Sequence, residues 1–482
     1  MDEILAARCW ARDEFEHLTE GDPRHRRRLL DLASAVLLSP AGTITEVFPT
    51  SAQRKGAYAF LSSRVVSTEA LLLACGQACA LRAADFPTVL IPLDGSCLSL
   101  PDPHGRKRFG RLGSRQKGRG LKVISALAVA PDGTPLGLLA QTWWARPRAK
   151  RKKQHARLPV AKKETQRWLD TIETAHQQLA NSAPDTRGVF LIDREGDGWA
   201  VLGTIDRLRR HFIIRAAKNR NVIRADGSKG KLRETLAEQE VRSTFVLDVP
   251  AGPKRLARRA TMEVRTATVL LPLKESWSNT PHPQTTHVVS VREVAPPKGQ
   301  TPLDWLLMSN LPIDTDEQVC LVIDGYQTRW LVESFHKTWK SGGCQVEDTQ
   351  LRDRDRVSKW AAILATVALR IERIKYLGRT EPDKPASEEF SVYELNALLL
   401  LKQKEKKRTE TIPNEIPTMG QATRWLAHLG GYVEQKSPPG AITLGRGLKR
   451  VRAGAEMLEA LELTPLVTLE PAKKPRKARR TG

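Results

Sequence analysis

Three acidic residues stand where they could act together on a phosphodiester. Asp94 follows the apolar run Thr88-Val89-Leu90-Ile91-Pro92-Leu93 and precedes Gly95-Ser96. Asp193 follows Gly188-Val189-Phe190-Leu191-Ile192 and opens R-E-G-D-G. Glu333 lies within Tyr326 to Lys340, Y-Q-T-R-W-L-V-E-S-F-H-K-T-W-K. Carboxylates at the ends of neighbouring strands can converge, and a helix crossing the sheet can bring a third. Three close acids repel one another unless a cation neutralises them. All-oxygen donors with open positions suit Mg²⁺, with Mn²⁺ able to substitute. Two such ions ~3.5–4 Å apart flank an in-line phosphoryl displacement. Glu195 and Asp197 are rival acids beside Asp193, better taken as supporting groups or ion-pair partners.

The element carrying Glu333 is expected to be one continuous helix over Tyr326 to Lys340, since it holds no Gly or Pro and its apolar residues recur at helical spacing. At about 100° per residue, Tyr326, Arg329, Glu333 and Lys340 fall within roughly 60° of one another. Leu331, Val332, Phe335 and Trp339 fall on the opposite, core-facing side. A phenol, a guanidinium and an ammonium beside an acid suit phosphates and a hard cation. A solvated face of helix ion pairs is the plainer alternative. His336 is expected at the surface or behind the site rather than as a ligand.

The elements that position these acids follow from pattern. Leu121 to Ala130 and Pro135 to Trp144 are strands around a Pro131-Asp132-Gly133 turn. Helices are expected over Ser67 to Ala84, up to Leu179, and up to Arg210, with a strand at Phe212 to Arg215. Three antiparallel strands followed by alternating helices and parallel strands give an α/β class, a ribonuclease-H-like mixed sheet flanked by helices, over residues 71–375. Short Val- and Thr-rich runs at Phe245 to Val249, Met262 to Leu273 and Thr286 to Val291 make a β insertion at about 230–300. Thr301 to Ser309 returns to the main domain. Residues 1–70 form a helical unit, with Asp22 as N-cap and Pro23 at the first helical position. Residues 376–465 form a helical C-terminal domain, with helices at Val392 to Lys407, Thr418 to Gly430 and from about Leu448. Residues 466–482 form a basic tail.

Composition points to a polyanion. Lys plus Arg is 78 against 54 for Asp plus Glu among 482 residues, a formal charge of +24. Nucleic acid is the default partner for such a balance. No run approaches the ~18 apolar residues of a spanning helix, and the start lacks a signal-peptide pattern. The six scattered cysteines form no paired C-x2-C, so reduced thiols in a cytoplasmic protein are expected. Arg24, Arg26, Arg27 and Arg28 open a helix whose dipole disfavours them, and DNA phosphates would favour them there. Arg106 to Lys122 holds eight Lys or Arg. With Arg146 to Lys163 it suits further phosphate contacts.

Y-x2-R-x3-E-x6-K, at Tyr326, Arg329, Glu333 and Lys340, resembles the signature of the insertion-sequence-four type of bacterial cut-and-paste DDE transposases. D-G-S at Asp94 and D-R-E-G-D at Asp193 resemble the preceding catalytic blocks, in order, and a long β insertion before the last block is also similar. The likeness spans roughly residues 10 to 460. It implies Asp94, Asp193 and Glu333 as metal-holding catalytic acids and two Mg²⁺ ions. Tyr326, Arg329 and Lys340 grip phosphates by the same likeness. Arg215 matches a family Arg at the DNA end, and Trp305 a Trp on which a flipped base stacks, though Trp305 serves equally well as a core residue. G-D-P-R and Gly56 to Phe60 resemble landmarks of the family's end-binding domain. The implied activity is excision through a nick, a hairpin and its opening, then strand transfer into target DNA. The implied state is a homodimer on paired transposon ends, associated with the bacterial nucleoid. A nuclease of the same fold and a catalytically idle end-binding repressor are the alternatives. Some relatives make a shortened inhibitor from an internal Met, and here none lies between Met1 and Met262.

Overall fold

The structure is a computed structural model describing residues 3–461 except 103, 106, 114–117, 147–157, 250, 253–254, 274–281, 407–411, 413 and 434–437. Parts of the two central basic stretches and the tail Lys473 to Arg480 therefore lie outside the described residues. Helices α1 (Glu3–Phe15), α2 (Pro23–Leu38), α3 (Ile44–Val47) and α4 (Ser51–Ser62) open the chain. Asp22 caps α2 by accepting from the Arg24 and His25 amides, with Pro23 at its first position. Helix α5 (Thr68–Ala83) leads into the sheet and buries Cys75 and Cys79.

Strands β1 (Thr88–Ser99), β2 (Gly110–Arg111), β3 (Arg119–Val129) and β4 (Pro135–Trp144) come next. Helix α6 (Thr165–Ser182), β5 (Arg187–Ile192), α7 (Trp199–Arg207) and β6 (His211–Arg215) follow. The central order is β4-β3-β1-β5-β6: β4, β3 and β1 are antiparallel, whereas β1, β5 and β6 are parallel. That is the three-antiparallel-then-parallel arrangement expected. Alternation along β3 explains its burial on both faces: Leu121, Val123 and Leu127 join one core cluster, and Ile124, Ala126 and Ala128 the other. Trp143 and Trp144 likewise pack on opposite faces.

The insertion extends this sheet. Strands β7 (Asn221–Ile223), β8 (Lys229–Lys231), β10 (Arg258–Leu273), β11 (His282–Val294) and β12 (Asp304–Ser309) continue its path in the order β6-β12-β11-β10-β7-β8, with β9 (Ser243–Val249) paired to β10 and helix α8 (Leu232–Ala237) between β8 and β9 in the chain. The join is β12, antiparallel to both β11 and β6.

Two expectations need correction. Strand β1 does not end at Asp94 but runs on to Ser99. What ends there is its parallel pairing with β5, at Leu93 opposite Ile192, while pairing with β3 continues. Asp94 thus sits where two strands part. Second, the helix expected over Tyr326 to Lys340 is two: α9 (Asp316–Thr328), with a Thr315–Gln318 capping box, and α10 (Trp330–Lys340). Arg329 joins them, with backbone bonds from its N–H to the Tyr326 carbonyl and from the Val332 N–H to its own carbonyl. These three-residue closures are a tightened turn, a common device at functional bends.

The long helix α11 (Arg354–Thr380), not anticipated from the sequence, and α12 (Val392–Glu405), α13 (Met419–Leu429) and α14 (Ala441–Ala460) complete the described fold. Helix α14 starts several residues before the expected Leu448. These helices share one buried cluster with α1 to α4: Leu29, Val36, Trp360, Leu398 and Val451 all belong to it. Among the described residues, no helix is long and apolar enough to cross a membrane.

Candidate active site

The site lies where β1 and β5 separate beneath the α9–α10 bend. Asp94 reaches it from inside β1 and Asp193 from the residue after β5. Glu333 comes from the first turn of α10. The Arg329 guanidinium lies between two of these acids. Its Nη1 is 3.6 Å from Asp94 Oδ2, and its Nη2 hydrogen-bonds Glu333 Oε1. Arg329 is only 6% exposed, and its Nε and Nη1 have no hydrogen-bond partner. A buried donor without an acceptor is costly, at about 1–3 kcal/mol. The expected polar face is thus partly inside the protein, with Tyr326 buried beside Arg329.

Burial raises the Asp94 carboxyl to about 7, and the negative charges of Asp193 and Glu333 add to the rise. Arg329 and the Gly95 amide oppose it without cancelling it. Asp193 Oδ1 accepts the Glu195 amide at 2.7 Å, which turns the chain sharply after β5. Asp197 is no rival ligand. It is buried in an ion pair with Arg220, which stacks 4.2 Å above Trp199, and it accepts the Ala217 amide at 2.7 Å.

The donor set is all oxygen, and burial disfavours the charged form of Asp94, which fits a divalent cation. As it stands, no three His, Cys, Asp or Glu among the described residues are gathered closely enough to hold a metal ion. Glu333 is engaged by Arg329 instead.

Of the remaining predicted residues, Arg215, Trp305 and Tyr326 lie along one line to Arg329, and Lys340 and the N-terminal arginines lie apart from it. Arg215 at the end of β6 donates from Nη2 to the Asp304 carbonyl at 2.9 Å. Trp305, half-buried, lies 6.2 Å from the Tyr326 ring, and Arg329 sits 5.7 Å over that same ring. Lys340, at the far end of α10, lies 3.6 Å from Glu347, which accepts the Ser99 amide. Arg24, Arg26, Arg27 and Arg28 are exposed on α2. Trp330, on the bend, is 64% exposed and 5.7 Å from Arg329.

His336 is not at the surface. It is buried, its Nε2 3.1 Å from Ser125 Oγ, and burial holds its imidazole down to about 3. Its position among Val332, Phe335 and Trp339 is the signal for this, since a residue next to a core stripe is itself drawn inward.

Residues 150–370 match the family described as "Transposase DDE domain", and residues 7–66 match "Transposase DNA-binding". The first match holds Asp193, Arg215, Trp305, Tyr326, Arg329, Glu333 and Lys340, whereas Asp94 precedes it. The second spans α1 to α4 and all four N-terminal arginines.

Proposed function

We propose that this chain, which carries both a transposase DDE domain and a transposase DNA-binding domain, is a cut-and-paste transposase of the insertion-sequence-four type. Helices α1 to α4 hold the transposon end through Arg24, Arg26, Arg27 and Arg28. Asp94, Asp193 and Glu333 would hold two Mg²⁺ ions, which would supply Lewis-acid activation of the attacking oxygen and stabilisation of the leaving one. Arg329, Tyr326, Arg215 and Lys340 fix the phosphates of the cut strand. Trp305 receives a base extruded at the hairpin. In the nick and the hairpin opening water replaces a 3′-oxygen on phosphorus and releases a 3′-hydroxyl; in hairpin formation and joining to target DNA a 3′-hydroxyl replaces the 3′-oxygen of another phosphodiester, so no nucleoside triphosphate is consumed. Pairing of two ends falls to the C-terminal helices, where Met457 and Leu461 are exposed apolar groups.

The observation that carries this reading is the buried Arg329. One guanidinium reaches acids from β1 and α10, and its buried Nε and Nη1 lack acceptors, which supports a charged role for Arg329 beside the acids. Single Asp94→Ala, Asp193→Ala and Glu333→Ala variants test it, assayed for Mg²⁺-dependent nicking and for binding of the terminal inverted repeat. Nicking should vanish in all three while binding persists. Robust cleavage by any variant removes that residue from the site, and cleavage without strand transfer by the wild type would mark a nuclease instead.

A further inference from the structure

Asp94 is one end of a row that crosses three strands. In the β1–β3 register it faces Ser125, and in the β3–β4 register Ser125 faces Gln141. Residues directly opposite in a sheet present side chains to the same face. The other two members of the row are hydrogen-bonded: Gln141 Nε2 donates to Ser125 Oγ at 3.0 Å, and Gln141 Oε1 accepts from Trp143 Nε1 at 3.1 Å. Helix α10 lies on this face against β1 and β3, and His336 Nε2 meets Ser125 Oγ at 3.1 Å. With its acceptor sites serving Gln141, the Ser125 hydroxyl has its proton free for the neutral imidazole. All three side chains are buried.

The spacing gives this contact a consequence. Glu333 precedes His336 by three residues, about 4.5 Å of helix rise. Neighbouring strands lie about 4.8 Å apart. Seating His336 over Ser125 of β3 therefore carries Glu333 one strand across, to Asp94 of β1. Arg329 touches both acids, in agreement with that placement. Apolar packing of Val332, Phe335 and Trp339 holds α10 down but is non-directional, so it does not by itself set how the helix lies along the row.

We propose that His336 and Ser125 are positioning residues whose hydrogen bond sets α10 on the sheet so that Glu333 arrives opposite Asp94. This rests on the reading of Asp94, Asp193 and Glu333 as the metal-holding acids. Gln141 fixes the Ser125 hydroxyl, and Trp143 fixes Gln141.

The test uses the full chain with His336→Leu, His336→Gln and Ser125→Ala, and with Asp94→Asn as the blank. Mn²⁺ binding is followed by electron paramagnetic resonance, alongside affinity for the terminal inverted repeat, nicking rate and melting temperature. Loss of a group that orients a ligand typically costs 10- to 100-fold in metal affinity or activity. His336→Leu and Ser125→Ala should each lose about that much in Mn²⁺ affinity and nicking, with end binding unchanged. The double variant should be no worse than His336→Leu, because both remove one bond. His336→Gln, whose amide can reach Ser125, should recover most of the loss. Should His336→Leu fail to fold, Ser125→Ala and His336→Gln decide the matter. Wild-type Mn²⁺ binding and nicking in Ser125→Ala would overturn the proposal. So would Gln behaving like Leu while metal binding, DNA binding and melting temperature fall together. If the Asp94→Asn blank binds Mn²⁺ like the wild type, the metal reading itself fails, and the positioning proposal with it.

Discussion

Replacing Asp94 by Asn should make the metal-free protein more stable while abolishing its chemistry. In the fold the Asp94 carboxyl is raised from 3.8 to about 7, first by burial and then by Asp193 and Glu333. Between pH ~4 and ~7 the folded carboxyl keeps a proton that the unfolded chain has released. The folded state then binds more protons, so stability falls as pH rises through that window, and the full penalty stands above pH 7. About three units at 1.36 kcal/mol each give an upper bound of about 4 kcal/mol. With the side chain 14% exposed, relaxation and water reduce this to about 2–4 kcal/mol. Asn carries no charge and escapes the penalty. An unfolding entropy of ~2.1 cal/mol/K per residue makes about 1 kcal/mol/K for a chain of this length, so the melting temperature should rise by about 2–4 °C at pH 8. The gain should shrink towards zero at pH 4–5. Mg²⁺ at pH 8 should raise the melting temperature of the wild type and leave that of Asp94→Asn in place. Scanning calorimetry at the two pH values, with and without Mg²⁺, checks both. An Asp94→Asn protein that melts no higher than wild type at pH 8, or whose advantage does not change with pH, refutes the reasoning.

Replacing Arg26, Arg27 and Arg28 should weaken end binding and flatten its dependence on salt, by about one unit of log–log slope for each phosphate left without its arginine. An unchanged slope would show that these side chains do not touch DNA. Trp305→Ala should leave the first nick near normal and slow hairpin formation by roughly 5- to 150-fold, since stacking of an extruded base is worth about 1–3 kcal/mol. Phe or Tyr at this position should partly restore the step. A parallel fall in nicking and melting temperature would make Trp305 a core residue. For assembly, cutting the chain near Arg379 is a poor probe: α12 to α14 share a core with α1 to α4, and Arg452 donates to the Leu37 carbonyl. Met457→Glu with Leu461→Glu should instead leave single-end binding intact and prevent paired complexes on native gels, and normal pairing would place the dimer contact elsewhere.

The longer strands of the central sheet are legible where an apolar run meets a Gly-, Pro- or Asp-bearing turn, as in β4 from Pro135 to Trp144, whereas β2, β7 and β8 are too short to show such a run. The bend at Arg329 is not legible, because no breaker marks it. Gly325, the nearest, serves a close approach instead, since a Cβ there would meet Ile213 at 2.9 Å. What occurs at the bend is a guanidinium turned inward to two acids: Glu333 is local, four residues on, but only the assembled sheet supplies Asp94. Helix α11 is hidden for a related reason. Its stretch from Val357 to Leu369 is buried almost all round, so it lacks the one-sided stripe that marks a surface helix. Of the two places open to His336, at the surface or behind the site, the sequence could not choose, because its partner, Ser125, lies 211 residues away and only the fold brings it near.

The insertion's place in the sheet bears on how one site could handle two strands in turn. Strand β12 is hydrogen-bonded to β6, with Leu307 opposite Arg215. That junction brings Asp304 and Trp305 beside Arg215, although nearly ninety residues separate them in sequence. From there the contacts run through Tyr326 and Arg329 to Glu333 and Asp94. On the proposed reading, a backbone laid along this line meets an Arg, an aromatic platform and a second Arg before it reaches the acids. A nicked end can then swing while its phosphates stay held, which is what attack on the opposite strand requires. The line depends on β12 joining β6 in this register. A one-residue slip would turn Trp305 to the other face of the sheet and separate the platform from the phosphate grip. On the proposed reading β12 is therefore part of the site's construction, and its loss should cost hairpin formation even where the three acids remain in place.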